Sequence, residues 1–172
     1  MQATRQNVQL YSLAYSDVKT YLFAAAFIIG NIALPQLCHL IPQGGFRFLP
    51  IYFFTLIAAY KYGWRVGLLT ALASPILNSL LFGMPAASVL PSILIKSTLL
   101  VAGASFAASR FHKASIGLLV AVVVFYQVLG TLAEWAICGS FYAAIQDFRI
   151  GLPGMLLQIL GGWLIINRLI RK

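Results

Sequence analysis

Six apolar stretches run along the chain, separated by short segments that are polar or bear glycine and proline. Read as helices, they cover about 20–40, 48–60, 64–82, 88–109, 115–138 and 150–169. Most approach the roughly 20 residues that cross a bilayer at 1.5 Å per residue. The second is too short for a full crossing unless it tilts or its flanks extend it. The pattern predicts an all-α membrane protein: a six-transmembrane-helix bundle in which residues 1–172 form one integral membrane domain.

Within these stretches the polar and small residues recur at helical spacing. Between 47 and 83 the sequence reads as a hairpin: a short helix, the basic turn Lys61-Tyr62-Gly63-Trp64-Arg65, and a returning helix. The returning helix has Gly63, Gly67 and Ala71 on one face, where another backbone can approach closely. Thr70, Ser74 and Asn78 lie on a neighbouring face, which suits a ligand. In the first stretch Ala26 and Gly30 form a small-xxx-small pair. Asn31 and Pro35 interrupt that stretch, and Pro42-Gln43-Gly44-Gly45 ends it in a turn. Ahead of it, the aromatic residues between 11 and 15 suit a short interfacial helix.

Composition excludes a soluble globule, since 61% of residues are hydrophobic and only 9% charged, where about a quarter would be expected. Six spans also leave no room for a soluble domain, so any nucleotide-binding or catalytic module belongs to another chain. The first apolar run lacks a short core followed by a small-residue cleavage site, and no removable signal peptide is expected. The net charge of +9 is scattered over loop ends rather than gathered in a patch for nucleic acid. Topology accounts for it. With a cytoplasmic N-terminus, Arg5, Lys19, Lys61, Arg65, Arg110, Lys113, Arg168, Arg171 and Lys172 fall inside, and only Arg47 and Arg149 outside. That asymmetry predicts an N-in, C-in orientation.

Lys96, the remaining basic residue, lies inside the fourth stretch, and Glu134 lies inside the fifth. Their spacing from the outer helix ends puts them at depths of about 12 and 6 Å. A charge in hydrocarbon costs about 2.5 to 3.5 kcal/mol, so such a pair marks a functional site or two groups that only satisfy each other. Gln127, Thr131, Glu134 and Cys138 share one helical face, and Ser88, Ser92 and Lys96 share another. With Asn78 near the outer end of the third stretch, and Asn31 and Gln158 deeper, several helices direct polar groups to one level. Each could equally serve an interhelical hydrogen bond; the convergence favours a ligand.

Arg47, following Gly44-Gly45-Phe46, and Asp147 with Arg149 stand in outer loops that either close over such a pocket or are solvated connectors. Trp135 and Tyr142 suit interface anchors. Cys38, His39 and Cys138 have no metal-ligand spacing, and two cysteines make no disulfide framework, so no metal is expected. The chain has no GxSxG, HExxH or aspartate-rich motif and only three acidic residues, which argues against an enzyme; no cofactor is implied.

These features together resemble the S components, the substrate-binding membrane subunits of energy-coupling factor vitamin transporters. The likeness rests on a six-span chain of under 200 residues, a small-residue first helix, and the hairpin LPIYFFTLIAAYKYGWRVGLLTALASPILNSLLFG. That family has an AxxxA motif on its first helix for docking on a scaffold subunit; here the matching pair is Ala26 and Gly30. The resemblance implies high-affinity uptake of a vitamin-like ligand across the bacterial cytoplasmic membrane. It also implies a membrane scaffold subunit and two ATPase subunits on separate chains, with release after the subunit topples in the bilayer. The implied substrate-binding residues are Arg47, Lys96, Gln127, Glu134 and Gln158, beside Asn78 and Thr131 from the polar stripes. On this reading Lys96 binds an anionic group and Glu134 an amino or hydroxyl group. A scaffold protein of an envelope assembly, or a solitary small-molecule transporter, are the alternatives the residues leave open.

Overall fold

A computed structural model describes residues 10–169, all of whose regular structure is helical. Four helices are long and apolar enough to cross a membrane: α1 (Val18–Cys38), α4 (Trp64–Phe82), α5 (Leu90–Phe111) and α6 (Ile116–Cys138). Before α4 come α2 (Gly44–Phe48), a single 3-10 turn (Pro50–Tyr52) and α3 (Phe53–Tyr62). After α6 come the short helices α7 (Phe141–Ala144), α8 (Gln146–Ile150) and α9 (Leu152–Leu156). From α9 the backbone stays helical to residue 169, alternating π turns (Leu157–Gly161 and Ile165–Leu169) with α10 (Gly162–Leu164). Large apolar side chains cover the outside, among them Leu22, Ile29, Phe106, Val124, Leu132 and Leu160. An exterior this apolar fits hydrocarbon rather than water. The chain is an all-helical, multi-pass membrane protein.

α3 is the hub. It is enclosed by the rest of the bundle: Leu56, Ile57, Ala58, Ala59 and Tyr60 have no accessible surface. Around it stand α1, α4, α5 and the helical run after α9. Glycine sets one of these approaches and a second between α9 and α2. A Cβ at Gly67 would come within 2.6 Å of Ala59 Cβ, so α4 lies almost backbone to backbone on α3, as expected for Gly67 in the small-residue stripe, whereas Gly63 stands outside α4 and faces Tyr11 and Ser12. Gly154 abuts the Phe48 carbonyl in the same way, which leaves no room there for any side chain.

The expected second helix, 48–60, is corrected by this geometry. Leu49 takes a left-handed conformation (φ 46°, ψ 46°) and divides α2 from the 3-10 turn that Pro50 begins. Proline disfavours right-handed helix in the residue before it, so the helix cannot run through 49. Nor are Gly44 and Gly45 an open turn: they begin α2, and Gly44 sits so tightly on the Cys38 carbonyl that a Cβ would overlap it. The interfacial helix expected at 11–15 is absent as well. Tyr11 N–H donates to the Lys61 carbonyl (2.8 Å) and the Tyr11 ring stacks on Tyr62, so this segment is laid extended along the end of α3. Lys61 is buried at 1% exposure and belongs to the last turn of α3, not to a turn between helices. Arg5, Arg171 and Lys172, which enter the charge asymmetry, lie outside the described residues.

Polar residues tie α1 into the core. Asn31 Nδ2 donates to Thr55 Oγ1 (2.9 Å) and Ser74 Oγ (3.3 Å), and its Oδ1 accepts from Phe54 N–H (3.3 Å). Three elements meet on one amide. Hydrogen bonds between membrane helices average about 0.6 kcal/mol each, so Asn31→Ala is expected to cost about 2 kcal/mol, measurable as a lowered thermal midpoint in detergent.

Candidate functional site

At the end of the bundle where α1 finishes and α5 begins, a cavity of about 570 Å³ opens among α1, α2, the Pro50–Tyr52 turn, α4, α5, α6 and α8. This lies within the range of small-molecule sites. Most of its wall is apolar, from Ile41, Phe46, Leu49, Ile51, Met84, Val89 and Ile93. Lys96, Glu134 and Asp147 are the charged groups of the wall, with Asn78, Ser92, His39 and Gln146 as polar company.

Lys96 Nζ donates to Glu134 Oε2 at 2.5 Å and to Asp147 Oδ2 at 2.7 Å. Its side chain reaches them by crossing α6 at Gly130, where any Cβ would overlap Lys96 Cγ. Four residues on, one helical turn further, α6 presents Glu134. Asp147 arrives from the first turn of α8, so three segments far apart in sequence converge on one ammonium. Lys96 is 3% exposed, whereas Glu134 and Asp147 retain 21% and 13%. The lysine is the buried centre, and the carboxylates form its cavity-facing rim.

Asn78 is fixed differently. Its Nδ2 donates to the main-chain carbonyls of Asn31 (2.9 Å) and Ser74 (3.0 Å). Both partners are acceptors, so the amide orientation is set, and Oδ1 is left buried without a partner beside the cavity. Of the other two members of that stripe, Thr70 Oγ1 bonds back to Val66 O within α4 (2.9 Å), and Ser74 Oγ accepts from Asn31 on α1.

The remaining expected residues sit elsewhere. Gln127, Thr131 and Gln158 are buried but do not line the cavity. Tyr52 lines the cavity, and its ring packs on Tyr126 at 5.4 Å between centroids. Tyr126 donates to Gln158 Oε1 (2.8 Å), while Gln127 Nε2 and Oε1, Thr131 Oγ1, Ser97 Oγ and Gln158 Nε2 are without protein partners. These are buried polar groups apart from the cavity wall. Arg47 is exposed on α2 away from the wall, and Arg149 lies over the Tyr142 ring at 4.0 Å. Ala26 is exposed on α1, whereas Gly30 turns inward, with the Phe54 ring 2.9 Å from where a Cβ would stand.

Sequence reasoning placed Asp147 in a closing loop rather than on Lys96, and it missed Tyr52 and Tyr126. One signal was available: with three acidic residues in the chain, a buried lysine has few partners to choose from. Cys38 and His39 stand at the end of α1 and Cys138 is exposed, and among the described residues no three histidine, cysteine or acidic side chains gather as a metal site. The chain matches no known protein family, no curated protein and no solved structure.

Proposed function

We propose that this protein is the substrate-binding membrane subunit of an energy-coupled uptake system, of the S-component type, taking a vitamin-like micronutrient across a bacterial cytoplasmic membrane. The observation that carries the reading is the cavity of about 570 Å³ with an apolar wall and one charged end. Buried charge beside open space is what ligand capture needs and helix packing does not. α2 forms one wall, hung between the left-handed residues Gln43 and Leu49, which suits a small lid. In this reading α3 and the run 152–169 complete six spans, and the charge asymmetry supports N-in, C-in, with the cavity opening outward. A scaffold subunit, docked on the outward face of α1 around Ala26, and two ATPases on separate chains supply the work. The chain itself performs no chemistry; its residues bind, orient and exclude water.

Native mass spectrometry of the purified full-length chain tests this. A stoichiometric small molecule, released on denaturation and rebound by the refolded or stripped protein, is the expected result. Protein partners without any small molecule would favour a scaffold role and overturn the carrier reading. Uptake by this chain alone in vesicles would remove the ATPases from it.

A further inference from the structure

The charged end of the cavity is not neutral. Lys96 contributes one positive charge and Glu134 and Asp147 two negative ones, so the ionised triad sums to −1. The lysine is also saturated in the direction that matters: two of its three protons point at carboxylates, and its stem is pinned against Gly130. Each carboxylate spends one oxygen on Lys96, Oε2 and Oδ2, and keeps a second. Asn78, at 1% exposure, adds an acceptor with no partner, Oδ1, held in place by its two donated hydrogen bonds. His39, on the exposed end of α1, is the only other wall residue besides Lys96 able to hold a positive charge among the described residues.

We infer that the cavity selects an amphiphilic ligand with a cationic, hydrogen-bond-donating head, an amine or amidine on an apolar body, and that Glu134, Asp147 and Asn78 receive that head. The inference rests on the carrier reading of the cavity and narrows its substrate class. It reverses the role expected for Lys96 from sequence: the lysine positions the two carboxylates and does not capture an anion. A cationic head would complete the charge balance that Lys96 leaves one short, and would fill acceptors that are already oriented. An anionic head would face two carboxylates across a low-dielectric pocket, a repulsion one shared lysine cannot offset.

Phenylpropylamine, phenylpropionate and phenylpropionamide share one body and differ in the head, and their binding to the purified full-length chain can be read by ligand-observed NMR. The amine is expected to bind at least about tenfold better than the acid, the scale of one charge-assisted hydrogen bond. Glu134→Gln and Asp147→Asn should each remove about that factor for the amine while sparing the amide. Both are near-isosteric, and Asp147, on a short surface helix, serves if Glu134→Gln fails to fold. A preference for the acid, equal binding of all three, or amine binding unmoved by either variant would overturn the cationic assignment and leave the carrier reading standing. If none of the three binds, the net charge at neutral pH of the molecule released from the purified protein decides: a cation upholds the assignment, and an anion or neutral compound overturns it. Absence of both probe binding and any released molecule would bring down the carrier reading, and the assignment with it.

Discussion

Lys96→Ala is expected to destabilise the purified protein by about 3 to 5 kcal/mol, the cost of removing one partner from a buried ion pair. Two carboxylates now held within 2.5 and 2.7 Å of the ammonium would face each other without it, at the rim of an apolar cavity. One of them would take up a proton rather than remain charged. The loss is therefore expected to shrink as pH falls, because protonation removes the repulsion that the lysine had offset. The triple variant Lys96→Met, Glu134→Gln, Asp147→Asn should recover most of the stability, since a neutral, volume-matched set carries no unpaired charge. Ligand binding would not recover with it. Thermal midpoints of the single and triple variants, measured in one detergent across pH, check this. A triple variant no more stable than Lys96→Ala would show that charge balance does not account for the loss, since methionine keeps a stem of similar length on Gly130.

Helix positions in the long apolar runs were legible because period and length act locally. The expected helices 64–82 and 115–138 agree with α4 and α6 to within a residue at either end. What misled was context. The stretch 48–60 is apolar but for Thr55, so hydropathy alone hid the break that Pro50 imposes at Leu49 and gave no sign that the helix after it would be enclosed on all sides. The Thr70, Ser74, Asn78 stripe was visible as a stripe, yet spacing along one helix cannot tell a neighbouring helix from a cavity. Asn31 claims Ser74, and only the last residue of the three reaches open space. Lys96 and Glu134 could be paired by depth, because both lie near the same end of adjacent helices. Asp147 could not, since a loop residue has no depth until its loop is folded; α8 sets it. Gln127 and Thr131 share a helical face with Glu134, yet only Glu134 of that face reaches the cavity wall, and spacing along one helix does not say where a cavity stops.

Gly67→Ala is expected to cost stability and, at a distance, ligand binding, although the substitution favours helix formation locally. The added methyl would stand 2.6 Å from Ala59 Cβ and 2.8 Å from Ala59 Cα, against backbone that cannot rotate aside. α3 cannot retreat either, because Leu56, Ile57 and Tyr60 are packed without accessible surface on its other faces. α4 must then move, at the roughly 1 to 3 kcal/mol typical of overpacking. Movement of α4 displaces Asn78, which it holds at the cavity wall, so weaker ligand binding should accompany the lower thermal midpoint. Gly117→Ala on α6 is the control: nothing lies within 4 Å of its Cβ position, and it should gain up to about 1 kcal/mol from helix propensity alone. Adding Ala59→Gly to Gly67→Ala moves the methyl across the interface and should restore part of both losses. If Gly67→Ala lowers neither the thermal midpoint nor ligand binding, the approach of α3 to α4 is looser than this packing requires, and Asn78 is held at the cavity by its bonds to Asn31 and Ser74 instead.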